Sequence, residues 1–163
     1  MKLDTSTWKK VKLGDICKSL KKGTLKTTDL VEGGRYPVIN AGRELYGYYD
    51  DYNNDGECIT LASRGEYAGN VHYFNERFWA GGLCYPYTSK NENVARTKYV
   101  YQYLKMKESY IRENLVRGGG VPALNKADLD SLDIELPDIN TQDKIVKALT
   151  TLDNLIEARG GAA

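Results

Sequence analysis

Up to residue 90 the apolar positions fall in short, roughly alternating runs broken by glycine, proline, asparagine and aspartate. Trp8-Lys9-Lys10-Val11-Lys12-Leu13 alternates as a half-buried strand does, and Gly14-Asp15 marks its end. Residues 18–28 are basic and threonine-rich around Gly23, and read as a strand leaving into a loop. Tyr36-Pro37-Val38-Ile39 is short and apolar, and its proline, with no N–H to donate, belongs at a strand start or a sheet edge. Gly47-Tyr48-Tyr49 is a further strand, and the Asn/Asp cluster from 50 to 56, ending in Asp55-Gly56, is a turn. Cys58-Ile59-Thr60-Leu61 forms a strand that stops at Ser63-Arg64-Gly65. Residues 70–74 and 78–80 read as a strand pair joined through Asn75-Glu76-Arg77, with 83–87 as one more strand.

Beyond residue 90 the apolar spacing becomes helical. Tyr99, Val100, Tyr103 and Leu104 share one face, and Tyr110, Ile111 and Leu115 extend it until Arg117-Gly118-Gly119-Gly120 ends the stretch. Asn125 caps a single short turn, Leu132-Asp133-Ile134-Glu135-Leu136 alternates as a strand, and Pro137 closes it. A last helix starts at Asn140, with Asp143 three residues on in the manner of a capping box. Its stripe comprises Ile145, Ala148, Leu149, Leu152, Leu155 and Ile156. At about 20 residues it would span about 30 Å. Ile145, Leu149, Leu152 and Ile156 recur at spacings of four, three and four, a coiled-coil-like seam. The expected fold is α+β. A compact domain of short twisted mixed β-sheets with small helices (residues 1–137) precedes one long C-terminal coiled-coil-type helix (138–159). Gly160-Gly161-Ala162-Ala163 reads as a linker or an artificial end, and no internal repeat is present.

Charge changes this picture only through its distribution. The total is +1, yet Lys2, Lys9, Lys10, Lys12, Lys18, Lys21, Lys22 and Lys26 crowd the start against Asp4 and Asp15. Asp128, Asp130, Asp133, Glu135, Asp138 and Asp143 crowd a later segment. The pattern fits either a basic and an acidic face or a solvated mixed surface. Thirteen tyrosines against two phenylalanines suit a wet interface, although several must lie in the core. Cys17, Cys58 and Cys84 are odd in number and widely spaced, which reads as reduced thiols in a cytoplasmic protein. No apolar run approaches the ~20 residues a membrane span needs. The lysine-rich start has no apolar stretch of a secretory signal.

Catalytic signatures are missing. The single histidine, His72, sits in an expected strand with no nucleophile motif beside it, and one His with three scattered Cys makes no zinc ligand set. There is no phosphate-binding loop and no dinucleotide fingerprint. Adenine methyltransferases hold the flipped base with an Asn/Asp-Pro-Pro-aromatic motif, and Pro37, Pro86, Pro122 and Pro137 are never adjacent. Pro137-Asp138 with Asp143-Lys144 imitates a nuclease motif, but its spacing is short and no residue separates Asp143 from Lys144.

Binding residues are easier to find. Lys18, Lys21, Lys22, Thr24 and Lys26 surround Gly23 and suit phosphate contact, with plain solubility as the alternative. Ser63, Arg64, Gly65, Tyr67 and Asn70 form the best base-reading candidate, since Arg and Asn tips match guanine and adenine edges. A strand-capping salt bridge for Arg64 and core packing for Tyr67 are the competing readings. Arg43 and Tyr46 near Gly42 and Gly47, and Arg117, Gly118 and Gly119, would complete such a surface. The glycine run serves equally as a helix stop.

Taken in order, the segments resemble the target-recognition domain and following helix of Type I restriction–modification specificity subunits. The resemblance rests on Trp8…Val11-Lys12-Leu13-Gly14-Asp15-Ile16, Tyr36-Pro37-Val38-Ile39, Gly47-Tyr48 and Ile59-Thr60-Leu61-Ala62-Ser63-Arg64-Gly65…Ala68-Gly69-Asn70-Val71. It continues through Phe78-Trp79-Ala80, Leu124-Asn125-Lys126…Leu129…Leu132…Ile134-Glu135-Leu136-Pro137 and Gln142…Ile145-Val146…Leu149…Leu152-Asp153…Ile156. Where the family has Glu-Gln at the head of the helix, this chain has Thr141-Gln142. A complete subunit of that family carries two recognition domains separated by two long helices packed as an antiparallel coiled coil; this sequence matches one domain and the first part of one helix. The resemblance implies a non-catalytic module that reads one half of a bipartite site on double-stranded DNA. Methyltransferase subunits, and through them the restriction subunit, would be its partners. S-adenosylmethionine and ATP would be bound there, with no cofactor in this chain and no membrane. Two other readings are a protein-interaction or dimerisation module using the C-terminal helix, with a homodimer through that seam, and a small hydrolase using Cys58 or Cys84 with His72.

Overall fold

The computed structural model describes residues 4–161, so Lys2, Ala162 and Ala163 lie outside the described residues. The first strand, β1 (Lys9–Lys12), does not stop at Gly14-Asp15 but passes into a one-turn helix, α1 (Leu13–Ile16). Leu13 and Ile16 sit three apart on that turn and both are buried, so burial decides its conformation. After β2 (Cys17–Ser19) and a single turn at Thr27–Asp29 come β3 (Tyr36–Ile39), β4 (Gly47–Tyr49), β5 (Cys58–Ala62), β6 (Val71–Phe74), β7 (Trp79–Ala80) and β8 (Cys84–Ser89). Helices α2 (Thr97–Met106) and α3 (Glu108–Asn114) follow, then the short strands β9 (Val116–Arg117) and β10 (Ala123–Leu124). The chain continues through α4 (Lys126–Asp130), β11 (Asp133–Leu136) and α5 (Ile139–Gly161).

Four strands form an antiparallel sheet in the order β2-β8-β5-β6, and three form a mixed sheet in the order β4-β3-β7, with β3 and β7 parallel. The expected pairing of 70–74 with 78–80 does not occur. β6 pairs with β5 and β7 pairs with β3, so the turn at 75–77 carries the chain between sheets. Phe74 and Phe78 stack with ring centres 4.2 Å apart inside a small core with Ile39, Cys58, Ala80 and Cys84. Burying both rings there outweighs the local tendency to form a hairpin. Pro37 is the second residue of the central strand and precedes the first β7 partner, Val38, so it marks a strand start and not a sheet edge.

The larger core lies between the four-stranded sheet and the helices, joining Leu13, Ile59, Leu61, Tyr87, Tyr99, Val100, Leu104, Ile111, Leu129 and Ile134. The expected single helix over 99–115 is broken at Lys107 (φ −89, ψ 4) into α2 and α3. It ends before the glycines, which form the tip of the antiparallel ribbon β9–β10. Asn125 caps α4, its side chain accepting from the Asp128 N–H. Tyr87, Tyr99 and Tyr103 are core residues, and the first two hydroxyls donate to Asp130 (2.6 Å) and to the Glu135 carbonyl (2.5 Å).

The basic start and the acidic later segment do not make two faces. β1 pairs with β11 so that Lys10 lies opposite Glu135 and Lys12 opposite Asp133, with Lys12 Nζ 2.6 Å from the Asp133 carboxylate. That neighbouring ammonium holds Asp133 below the usual carboxylate range. Among the described residues the lysines of 18–26 have no such partners.

Helix α5 begins one residue before the expected start, and the cap is Asp138, whose carboxylate accepts the Thr141 N–H at 2.8 Å. The Asn140/Asp143 capping box does not form, because Asp143 turns to the Arg96 guanidinium in two bonds of 2.9 and 3.1 Å. Gln142 is fully buried against the loop before α2, and Ile145 and Val146 pack on the larger core. Every residue from Thr151 to Arg159 is exposed, and the helix continues through Gly160 and Gly161, which the sequence placed in a linker.

Candidate nucleic-acid interface

The lysine-rich loop leaves β2, an edge strand, and lies against β7. Its N–H at Gly23 donates to Ala80 O at 2.9 Å, and the Trp79 indole N–H donates to Gly23 O at 2.8 Å. Buried Leu25 anchors the loop from inside, while Lys18, Lys21, Lys22, Thr24 and Lys26 are exposed. No carboxylate among the described residues lies within salt-bridge distance of these four lysines. Lys22 Nζ reaches Gly82 O at 3.4 Å and sits 5.0 Å from the centre of the Tyr85 ring.

Tyr85 connects this loop to the second candidate segment, its hydroxyl donating to Leu124 O on β10 at 2.8 Å. The residues after β5 bond to the ribbon through backbone: Leu124 N to Ser63 O at 2.8 Å and Gly65 N to Pro122 O at 2.8 Å. Gly65 has φ +93, a left-handed conformation that favours glycine, and lets the chain turn there. Arg64 bridges Ala123, which on its other side pairs with Arg117. Residues in register across neighbouring strands project from one face, so two exposed arginines flank one small residue. At ~4.8 Å per strand their backbones are about 10 Å apart. Neither has a carboxylate partner among the described residues, so the strand-capping salt bridge considered for Arg64 is not formed. At the ribbon tip, side chains at Gly119 and Gly120 would meet open space.

From behind, α3 holds the 63–70 turn. The Val71 N–H donates to Glu108 Oε2 at 2.7 Å and Arg112 donates to Glu66 O at 3.1 Å. Beside the turn, the Arg43 guanidinium lies 5.8 Å from the Tyr67 ring centre, and Tyr46 is fixed by its N–H to Val38 O at 2.8 Å. Ser63 and Asn70 depart from their expected roles. Both are buried, Ser63 serving through its backbone. The Asn70 amide is spent on the ring of His72, Nδ2 to Nε2 at 3.0 Å. Burial pushes the His72 pKa below its ordinary value, which favours the neutral ring that accepts this bond. Tyr67 is half-buried.

The structure therefore gathers Lys22, Arg64, Arg117, Arg43 and Tyr67 around Tyr85 and the β9–β10 ribbon. Tyr85 ties the lysine loop to the ribbon, and Asn54, donating to Lys21 O at 2.8 Å, with Asn53, donating to Ala80 O at 3.0 Å, ties the loop to β7; no local sequence signal marks these three. The hydrolase reading finds no support in the thiols, all free and buried, which desolvation pushes up to about 12, far from a thiolate at neutral pH. Among the described residues no group of His, Cys, Asp and Glu is placed to hold a metal ion, and no helix is long and apolar enough to cross a membrane.

Known proteins share both sequence and fold with this chain. It is 26% identical to the Type I restriction enzyme MjaVIII specificity subunit of Methanocaldococcus jannaschii, over 91% of this chain and 36% of that protein. It is 30% identical to the MpnII specificity subunit of Mycoplasma pneumoniae, over 86% of this chain and 42% of that protein. The crystal structure of a Type I restriction–modification S subunit from M. genitalium superposes with a TM-score of 0.86 at 23% identity, covering 99% of this chain and 43% of that one. The HsdS subunit of Thermoanaerobacter tengcongensis gives 0.68 at 18% identity, over 96% and 40%. The chain thus spans about two fifths of the length of these relatives. The family model described as the Type I restriction modification DNA specificity domain matches residues 5–161, nearly the whole sequence, and the chain belongs to that family.

Proposed function

We propose that this chain reads one half of a bipartite DNA target for a Type I restriction–modification complex in the cytoplasm. Methylation of adenine and cleavage are carried out by partner subunits, which bind S-adenosylmethionine and ATP; this chain binds no cofactor. The observation that carries the reading is the row Arg64–Ala123–Arg117 on an exposed ribbon edge, beside a lysine loop without carboxylate partners. A two-stranded ribbon is narrow enough to enter the major groove, where Arg reads guanine bidentately and a small apolar side chain tolerates a thymine methyl. The lysines supply the sequence-independent attraction and fix the register.

The two parts are expected to respond differently to substitution. Lys21→Ala with Lys22→Ala weakens binding to every duplex and lowers the salt slope by about 2. Arg64→Ala or Arg117→Ala leaves that slope nearly intact and costs roughly 1–3 kcal/mol of discrimination at one base pair. The measurement is the set of N6-methyladenine motifs produced by the parent system carrying each substitution, with salt-dependent binding measured alongside. An unchanged motif for both arginine variants removes them from the reading surface.

A second copy of the chain is the partner we propose for the outer part of α5, where Leu152, Leu155 and Ile156 are each more than half exposed. Ile145 is not part of that seam, because it packs on its own domain.

A further inference from the structure

Groups remote in sequence hold the lysine loop at three backbone atoms, two of them through side chains and one through a backbone carbonyl. Asn54 is buried, and its amide donates to Lys21 O at 2.8 Å and to Asn53 Oδ1 at 2.9 Å. Asn53 grips both polar groups of Ala80, donating to its carbonyl at 3.0 Å and accepting its N–H at 2.8 Å. The same Ala80 carbonyl accepts the Gly23 N–H, and the Trp79 indole closes the set on Gly23 O. Tyr49 packs edge-on against Trp79 at 5.4 Å and fixes its plane. A Cβ at position 23 would lie 3.0 Å from the Trp79 ring, a tight contact that pushes loop and ring apart by a few tenths of an ångström.

Clustered lysines repel one another, and a free loop loses conformational entropy when DNA orders it. A loop already fixed at Lys21 and Gly23 avoids much of that loss. We infer that Asn53, Asn54 and Trp79 are positioning residues for DNA-backbone contact, holding Lys21 and Lys22 in place before the duplex arrives. The inference rests on the reading of this loop as a phosphate contact.

The test measures binding of the full chain to a labelled duplex of mixed sequence across a salt series. The variants are Trp79→Phe, Gly23→Ala, Lys21→Ala/Lys22→Ala, and each of the first two combined with the lysine pair. Trp79→Phe keeps an aromatic ring beside Tyr49 and removes the N–H donor. Gly23→Ala pushes the loop away from the half-buried Trp79 ring without replacing a core side chain, so the core stays intact if the first variant folds poorly. Both are expected to lower the salt slope by about 1 to 2, toward the loss of about 2 in the lysine pair, and to add no further loss in its presence. Trypsin should also cut after Lys21 and Lys22 faster in both. Wild-type slopes in Trp79→Phe and Gly23→Ala, with a reduced slope in the lysine pair, would overturn the positioning role and leave the phosphate reading standing. Losses that add fully to those of the lysine pair would also overturn it, since Trp79 would then act by another route. No change in the lysine pair itself would reject the phosphate reading, and the positioning role with it.

Discussion

Gln142→Leu is expected to destabilise the chain by about 3 kcal/mol or more, well above the ~1 kcal/mol typical of a point substitution. The side chain has no exposed surface, and all of its polar capacity is spent on backbone. Its Oε1 accepts the Arg96 N–H at 2.9 Å, and its Nε2 donates to Val94 O at 3.0 Å and Pro137 O at 2.9 Å. Leucine fills nearly the same volume, so packing is retained while three backbone groups lose their partner. Each buried orphan costs about 1–3 kcal/mol, and relaxation of the surface loop around Val94 offsets part of the sum. With a urea dependence of about 1–3 kcal/mol per molar, the unfolding midpoint should fall by about 1 M or more. Asp143→Ala next door removes an exposed ion pair and should shift the midpoint much less. A Gln142→Leu midpoint equal to wild type would show that this junction contributes little.

That junction also shows what the sequence made legible and what it hid. A helix near residue 140 followed from the apolar stripe, but its cap did not, because Asp138 and Asn140 are both good capping residues. The choice falls to the phase that puts Gln142, Ile145 and Val146 inward together. A change of phase by two residues would carry Gln142 off the buried face. Two of the three partners of Gln142 lie 46 and 48 positions away, beyond any local pattern.

The same division runs through the sheets and the candidate site. Strand positions were readable from alternation and turn residues; partners were not, because β1 meets β11 across the whole domain and β6 and β7 join different sheets. Adjacency favoured a hairpin at 75–77, and the stacking of Phe74 on Phe78 in the small core won. Among the candidate site residues, the exposure of the lysines is a local matter, legible in the sequence. Asn70 was offered to DNA because its type fits adenine, yet its tip is taken by His72, a contact fixed by the edge geometry of β6. The alignment of Arg64 with Arg117 depends on β10 lying between them and has no signature in either segment.

The second large effect concerns the outer half of α5. Every residue from Thr151 to Arg159 is exposed, and Leu152, Leu155 and Ile156 lie within about 100° of one another on the helix surface. Leaving three such half-exposed side chains uncovered forgoes about half of the ~1.5–3 kcal/mol apiece that full burial contributes. The relatives are more than twice as long as this chain. In the chain alone, two copies related by a two-fold axis can cover the stripe, each helix presenting the same face. The expected result is therefore a dimer in sedimentation equilibrium, with Leu152→Asp/Ile156→Asp weakening it at least a hundredfold, about 2.8 kcal/mol at 1.4 kcal/mol per tenfold. Because these residues belong to neither buried core cluster, the unfolding midpoint extrapolated to low concentration should move far less than that of Gln142→Leu. A wild type that stays monomeric at high micromolar concentration would reject the dimer. A double variant that dimerises as strongly as wild type would place the contact elsewhere on the molecule.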